Sequence, residues 1–207
     1  MRGAAAARRT NILRRATFVV CVLFSVGDAL AQPSSADPSR AAARAASCET
    51  CHGTPERAPL PGTPYLAGQQ YLFLETQMFL FREGLRDVPQ MAGLFTGVTD
   101  RDFADIGAYF ARQTPPRGSS RPEPTLHGRG AALARVMGCG SCHLPDYRGQ
   151  KHVPRLDNQP EDYLVAAMKA YRDNTRAGSD TSMNAALYQV GDDDLRALAH
   201  FLAHQTR

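Results

Sequence analysis

The sequence has no apolar run long enough to cross a membrane. The run near its start, Phe18–Val26, follows several arginines and ends before Gly27-Asp28, whereas a membrane-spanning helix needs about 20 apolar residues. Basic residues, a short apolar run and small residues at positions 29 and 31 are typical of a secretory signal peptide. We therefore predict an exported protein cleaved after Ala31, with a retained membrane anchor as the alternative.

An excess of charge of one sign is also missing once this leader is removed. Residues 1–31 hold five of the 24 basic and one of the 20 acidic side chains, which leaves 19 of each. The formal charge of +4 therefore belongs to the leader. A nearly neutral mature chain gives no grounds for a nucleic-acid partner, and we expect at most a peripheral association with membranes.

Cysteine is scarce, because Cys21 lies in the leader and only four others remain. These four are Cys48, Cys51, Cys139 and Cys142, and each pair belongs to a Cys-x-x-Cys-His motif. Four cysteines in an oxidising compartment normally suggest two disulfides. A histidine directly after each pair instead indicates haem c, whose vinyl groups bind the two thiols while the histidine binds iron.

Two haem c groups are therefore predicted, with His52 and His143 as the proximal iron ligands. A zinc site built from both pairs is the first alternative, but such pairs usually lie about 15–20 residues apart. Here 87 residues separate Cys51 from Cys139. A thioredoxin-like redox motif is the second alternative, and it expects a βαβ unit that the sequence lacks.

The alternation of polar and apolar residues that marks β-strands is absent, and the apolar spacing is helical in two similar halves. Amphipathic helices are predicted over residues 70–82 and 160–172, and further helices begin near Thr99 and Gly191. At an offset of 90, six residues of the first half recur in the second and Phe81 matches Tyr171; the six are Leu66, Gln69, Leu74, Met78, Arg82 and Arg86. We predict an all-α fold of two tandem domains related by duplication, 32–114 and 127–207, joined by a Pro-rich linker, 115–126.

Met91 and Met183 are the predicted sixth ligands of the two irons. They follow His52 and His143 by 39 and 40 residues, and each is expected in a connecting segment rather than on a helix face. Thioether ligation stabilises ferrous iron and leaves no open coordination position for a substrate. We therefore predict single-electron transfer and no catalysis.

Another repeated pair of methionines, Met78 and Met168, is expected to fill the core instead. His127 and His152 are the reserve ligands if a methionine does not bind iron. His200 and His204 lie one helical turn apart, but without a visible third ligand a solvated face is favoured over a metal site.

Two further repeated sets are candidates for supporting the haems. The carbonyls of Pro64 and Pro154 are placed to accept a hydrogen bond from the proximal histidines, although both prolines also suit ordinary loops. The arginines that recur after the amphipathic helices either neutralise haem propionates or are solvated. They are Arg82, Arg86, Arg172 and Arg176.

Several motifs together resemble the cytochrome c4 family. They are the paired Cys-x-x-Cys-His motifs, the L-x-x-Q segments at 66–69 and 156–159, FREGLR and YRDNTR, the methionine segments, and TDRDFADIGAYFARQ with GDDDLRALAHFLAHQ. The resemblance implies two class I cytochrome c domains, each with a His/Met haem. It also implies electron transfer in the bacterial periplasm, from a quinol-oxidising complex toward a terminal oxidase. A dedicated cytochrome subunit of a periplasmic enzyme, such as a flavoprotein sulfide dehydrogenase or an alcohol dehydrogenase, is the alternative.

Overall fold

A computed structural model describes residues 38–117, 121–176 and 181–205, and the predicted signal peptide lies outside them. Within these ranges there is no β-strand, only two isolated bridges that each follow a Cys-x-x-Cys-His motif. The helices are α1 (Pro38–His52), α2 (Tyr71–Arg82), α3 (Asp100–Ala111), α4 (Pro124–Val136), α5 (Gly140–His143), α6 (Glu161–Arg172), α7 (Thr181–Leu187), α8 (Asp192–Ala203) and a short 3₁₀ helix, Pro89–Met91. The prediction of an all-α fold is confirmed.

The two amphipathic helices form where the apolar spacing predicts them. Helix α2 buries Leu74, Met78 and Leu80, and helix α6 buries Leu164 and Met168. Leu74 and Met78 are four positions apart, as are Leu164 and Met168, so each pair shares one helix face and packs into its core cluster. This burial, more than intrinsic helix propensity, stabilises helices of only 12 residues.

Thr99 starts the third helix with a capping box. Its side chain accepts a hydrogen bond from the Asp102 N–H, and the Asp102 carboxylate accepts one from the Thr99 N–H. Two backbone donors that the helix leaves unpaired are thus satisfied. The repeat-equivalent helix α8 has Gly191 at its N-cap and makes no side-chain cap bond, but three aspartates in its first turn suit the helix dipole.

Buried apolar side chains form two separate clusters. The first cluster is Ala45, Leu74, Met78, Phe95, Phe103, Ile106 and Phe110. The second cluster is Ala134, Tyr147, Leu164, Met168, Leu187, Leu195, Leu198, Ala199 and Leu202. Helices α1 and α2 pack against α3 in the first half, as α4 and α6 pack against α8 in the second.

The second half departs from the first where the chain enters its Cys-x-x-Cys-His motif. Helix α1 runs through the first motif without interruption, whereas α4 ends at Val136 and a separate short helix holds the second motif. Gly138 lies between them with φ +69, a left-handed conformation that ends helices and that glycine adopts without a steric penalty. Helix α4 begins at Pro124, inside the predicted linker. Proline is favoured in the first turn of a helix, so this residue starts the helix rather than preventing it.

Helices α4 and α8 approach each other closely at Gly130. A Cβ atom at this position would lie 2.0 Å from the carbonyl oxygen of Ala197. Any residue larger than glycine would therefore push the two helices apart. None of the helices in the described ranges is both long and apolar enough to cross a membrane.

Candidate haem sites

The first Cys-x-x-Cys-His motif forms the last turn of α1. Cys48 and Cys51 form no disulfide and lie three residues apart, so they are on the same side of the helix. Cys48 is half-buried and Cys51 is exposed, while His52 is buried. Two thiols and an imidazole at one helix end are the donor set that haem c requires.

The second motif repeats this pattern of exposure on α5. Cys139 is half-buried, Cys142 is exposed and His143 is buried. The residue after each motif is left-handed, with φ +71 at Gly53 and φ +69 at Leu144. The second half therefore places a leucine in a conformation that suits glycine.

Both proximal histidines make the predicted hydrogen bond. The Nδ1 atom of His52 lies 2.8 Å from the carbonyl oxygen of Pro64, and that of His143 lies 2.9 Å from the carbonyl oxygen of Pro154. A carbonyl only accepts, so Nδ1 carries the proton and donates, which leaves the Nε2 lone pair for iron. The contact predicted for the two prolines is confirmed.

Burial sets the protonation state of these histidines. It lowers the pKa of His143 against the raising effect of the Pro154 carbonyl. The pKa of His52 is likewise lowered by burial, with a further contribution from the positive charge of Arg86. Both rings are therefore neutral near pH 7, the form that binds a metal.

The half-buried methionines Met91 and Met183 contact the same clusters as the cysteines. Met91 and Cys48 pack against the first cluster, and Met183 and Cys139 pack against the second. The expectation of a connecting segment is wrong for Met183, which lies in helix α7, and Met91 ends a 3₁₀ helix. Short helices of three to seven residues leave too few positions for an apolar period to be seen in the sequence.

The other repeated methionines are buried within the clusters, as expected for core residues. Met78 is 7% exposed and Met168 is 8% exposed. The reserve ligands make contacts of another kind, since the His127 ring packs edge-on against Phe201. The Nδ1 atom of His152 lies 3.3 Å from the Thr76 hydroxyl.

Arg82 and Arg172 bind the start of the last helix of each half. Arg82 Nη1 donates to the Val98 carbonyl oxygen and to Asp100 Oδ1, at 3.1 and 2.7 Å. Arg172 Nη1 makes the equivalent bonds in the second half, at 3.0 and 2.6 Å. These two arginines therefore connect one helix to the start of the next. They are neither propionate ligands nor solvated side chains, the two roles that the sequence left open.

Arg86 and Arg176 instead meet each other across the two halves. Arg86 Nη1 lies 2.6 Å and Arg176 Nη2 lies 3.2 Å from the same atom, Gln77 Oε1. Each guanidinium also stacks on the aromatic ring five residues before it, at 4.6 Å over Phe81 and 4.7 Å over Tyr171. The structure thus separates the four repeated arginines into two pairs with different surroundings.

An anionic group fits beside this pair. Burial, and then the charge of Arg176, lower the pKa of Arg86, and the Arg86 Nε atom is buried without a hydrogen-bond partner among the described residues. Burial raises the pKa of the Tyr163 phenol, but the charges of Arg176 and Arg86 outweigh it and lower that pKa overall. Buried guanidinium groups bind carboxylates well, so these residues fit haem propionates.

The structure adds a third residue to the His200 and His204 pair that the sequence did not indicate. Glu161 lies beside them, with ligand-type atoms of all three residues within 4.8 Å of one another. Both nitrogens of His200 are already bonded, however, since Nδ1 lies 2.8 Å from Glu161 Oε2 and Nε2 accepts the Glu123 N–H at 2.9 Å. His200 therefore joins helices rather than offering a lone pair to a metal.

The helical fold and the paired thiol and imidazole sites define a c-type cytochrome with two haems. Residues 128–206 match the family model Cytochrome c. The chain is 32% identical over 193 residues to cytochrome c4 of Pseudomonas aeruginosa, covering 89% of this chain and 96% of that relative. It is also similar to the crystal structure of reduced recombinant cytochrome c4 from Pseudomonas stutzeri, with a TM-score of 0.75 and 27% identity over 82% of this chain and 99% of the other.

The chain belongs to the cytochrome c4 family. It consists of two tandem class I cytochrome c domains, carries haem c and transfers electrons to and from redox proteins, and it is not an enzyme. A further relative, a thiosulfate dehydrogenase electron acceptor of Thiomonas intermedia, is 29% identical over 78% of this chain and 79% of its own length. The predicted fold class, cofactor and electron-transfer role are confirmed.

Proposed function

We propose that the protein is exported to the bacterial periplasm and carries single electrons between respiratory partners through two His/Met haems. It takes electrons from a quinol-oxidising complex and passes them toward a terminal oxidase. The proposed domains are 32–114 and 127–207 with the linker 115–126, whose last three residues form the first turn of α4. The proposed haem residues are Cys48, Cys51, His52 and Met91 in the first half and Cys139, Cys142, His143 and Met183 in the second.

One observation carries this proposal. In each half, a buried histidine with its Nδ1 bonded to a proline carbonyl follows two cysteines, and a half-buried methionine packs against the same cluster as the first cysteine. His52 and Met91 would then bind one iron, and His143 and Met183 the other. An iron bound by both side chains would have no position left for a substrate, which favours electron relay over chemistry.

When bound, haem iron would supply the redox chemistry, one electron at each site. The chain supplies the remaining functions. The thiols would hold the porphyrin covalently, and the proline carbonyls fix the orientation and tautomer of each imidazole. The thioethers would favour the ferrous state, and both methionines pack against apolar clusters. Since no atoms are transferred, little structural change is needed for each electron.

A spectroscopic redox titration of the purified holoprotein tests the proposal. Two one-electron steps are expected, together with low-spin spectra and the weak near-infrared band of ferric iron bound by methionine sulfur. A single step that accounts for only one haem, or high-spin iron at either site, would contradict it. Export is tested separately by sequencing the N-terminus of the mature protein, which is expected to begin at Gln32.

A second candidate function is that of a dedicated acceptor for one periplasmic dehydrogenase. The relative named as a thiosulfate dehydrogenase electron acceptor favours it. Stopped-flow mixing separates the two roles, because a dedicated acceptor is reduced fast by its own dehydrogenase and slowly by a quinol-oxidising complex. Fast reduction by the quinol-oxidising complex supports the respiratory carrier instead.

Arg86 offers a quantitative test of the proposed propionate site. The change Arg86→Met removes a half-buried positive charge, and positive charge near a haem favours the ferrous form. At an effective dielectric constant of ~20, we expect the ferrous form to lose about 1–2 kcal/mol of stabilisation, which lowers at least one midpoint potential by about 40–90 mV. Arg82→Met is the matched control, because Arg82 already pairs with Asp100 and Glu83. Equal shifts in both variants would contradict the site.

A further inference from the structure

One buried glutamine from each half of the chain is connected by hydrogen bonds to the proximal histidine of the other half. We propose that Gln69 and Gln159 are positioning residues that tune the haem of the other half, an inference that rests on the proposed His52 and His143 ligation. Both side chains are buried, with 4% and 3% exposure. Both also recur in the duplicated L-x-x-Q segment, so the connection runs in both directions.

The first connection runs from Gln69 to His143. Gln69 Oε1 accepts the Arg155 N–H at 2.7 Å, and Gln69 Nε2 donates to the Arg155 carbonyl oxygen at 3.1 Å. The Arg155 N–H belongs to the same peptide group as the Pro154 carbonyl, which accepts the His143 Nδ1 proton at 2.9 Å. One planar peptide group therefore stands between the glutamine and the histidine.

The second connection, from Gln159 to His52, has the same pattern of bonds. Gln159 Oε1 accepts the Tyr65 N–H at 2.9 Å, and Gln159 Nε2 donates to the Tyr65 carbonyl oxygen at 2.9 Å. The Tyr65 N–H shares a peptide group with the Pro64 carbonyl, which accepts the His52 Nδ1 proton at 2.8 Å. Each glutamine thus forms two hydrogen bonds with the backbone of the residue that follows the proline.

Hydrogen bonds in series polarise one another, most strongly in a buried setting. A peptide group whose N–H is donated carries more negative charge on its oxygen and is a better acceptor for the histidine proton. A stronger bond at Nδ1 makes the imidazole a more basic ligand, which favours ferric iron. Gln69 is therefore expected to lower the potential of the haem at Cys139 and Cys142, and Gln159 that of the haem at Cys48 and Cys51.

Glutamine-to-methionine variants test this crossed effect, because methionine has a similar size, is only a weak acceptor and has no N–H to donate. The potential of each haem is followed by NMR through its ferric haem methyl signals, assigned with Met91→Ala and Met183→Ala proteins. In Gln69→Met, the larger upward shift in potential is expected at the second haem, and the His143 Nδ1 proton of the ferrous protein should exchange severalfold faster. In Gln159→Met, the same changes are expected at the first haem and His52.

Gln70→Met is the matched control. Gln70 Nε2 also bonds the second half, at 2.9 Å to the Arg148 carbonyl oxygen and 3.2 Å to that of Gly149, but no bond joins it to the Pro154–Arg155 peptide group that accepts the His143 Nδ1 proton. Equal shifts in Gln69→Met and Gln70→Met, or a larger shift in the haem of the glutamine's own half, would overturn the proposal.

A measurement on the unaltered protein covers the case in which a glutamine variant does not fold. The Arg155 and Tyr65 amide protons of the native holoprotein are expected to exchange as slowly as those of α3 and α8, and fast exchange overturns the proposal. Failure of the ligand assignment is distinguishable, because it leaves the haem methyl signals unchanged in the Met91→Ala and Met183→Ala proteins.

Discussion

The change Met183→Ala is expected to remove the near-infrared methionine band from one haem and lower its potential by a few tenths of a volt, within the ~0.8 V range set by axial ligands. The haem itself is expected to stay bound, because the proposed thioether bonds to Cys139 and Cys142 do not depend on Met183. Met91 packs against the first cluster and not the second, so the first haem keeps its band. Met91→Ala is expected to give the converse result.

Met168→Leu is the matched control for Met183→Ala. Met168 belongs to the second cluster and is buried within it, whereas Met183 packs against that cluster and is half-buried. A core methionine replaced by leucine of similar volume costs less than about 1.5 kcal/mol and leaves the ligand sphere intact. Retention of the band in Met183→Ala and its loss in Met168→Leu would reverse the assignment of the two methionines.

The second large effect is expected from Asp157→Ala. Arg155 Nη1 donates to both carboxylate oxygens of Asp157, at 2.6 and 2.8 Å, and the two side chains are only 9% and 1% exposed. Burial raises the pKa of Asp157 against the lowering effect of Arg155. Removal of the carboxylate leaves a buried guanidinium without this counter-charge, which costs about 3–5 kcal/mol of the free energy of unfolding.

Urea unfolding of the holoprotein, followed by circular dichroism at pH 7, measures this loss. Asp173→Ala is the control, because Asp173 also pairs with a neighbouring arginine, Arg172, but is exposed. Its loss is expected to be much smaller, since solvent screens exposed ion pairs. The double change Arg155→Met with Asp157→Leu should recover part of the stability, because it removes both buried charges together. A double variant no more stable than Asp157→Ala would contradict this explanation.

Arg155 also shows that the two halves are not equivalent despite their duplication. It follows Pro154 and donates from Nε to the Gly68 carbonyl oxygen of the first half at 2.8 Å, whereas the residue after Pro64 is Tyr65. The first half in turn supplies Gln77 to both Arg86 and Arg176. Different charges around the two haems are a physical reason to expect two different potentials.

The sequence by itself determined the features that depend on residues close together in the chain. The thiols and imidazole of each site lie within five residues, so their spacing alone specifies haem attachment. The apolar period specifies α2 and α6, and Thr99 specifies the start of α3. The duplication then placed Met91 and Met183 at matching distances from the histidines, although not in the connecting segments that were expected.

Only the tertiary structure decided which distant groups meet. Nothing in the spacing of Arg82 and Arg86 separates them, yet one binds a helix start in its own half and the other meets Arg176. The bonds of Gln69 and Gln159 join residues 86 to 94 positions apart. A hydrogen bond depends on the position of both partners to within a few tenths of an ångström, and the packing of the two halves, rather than local sequence, sets that position.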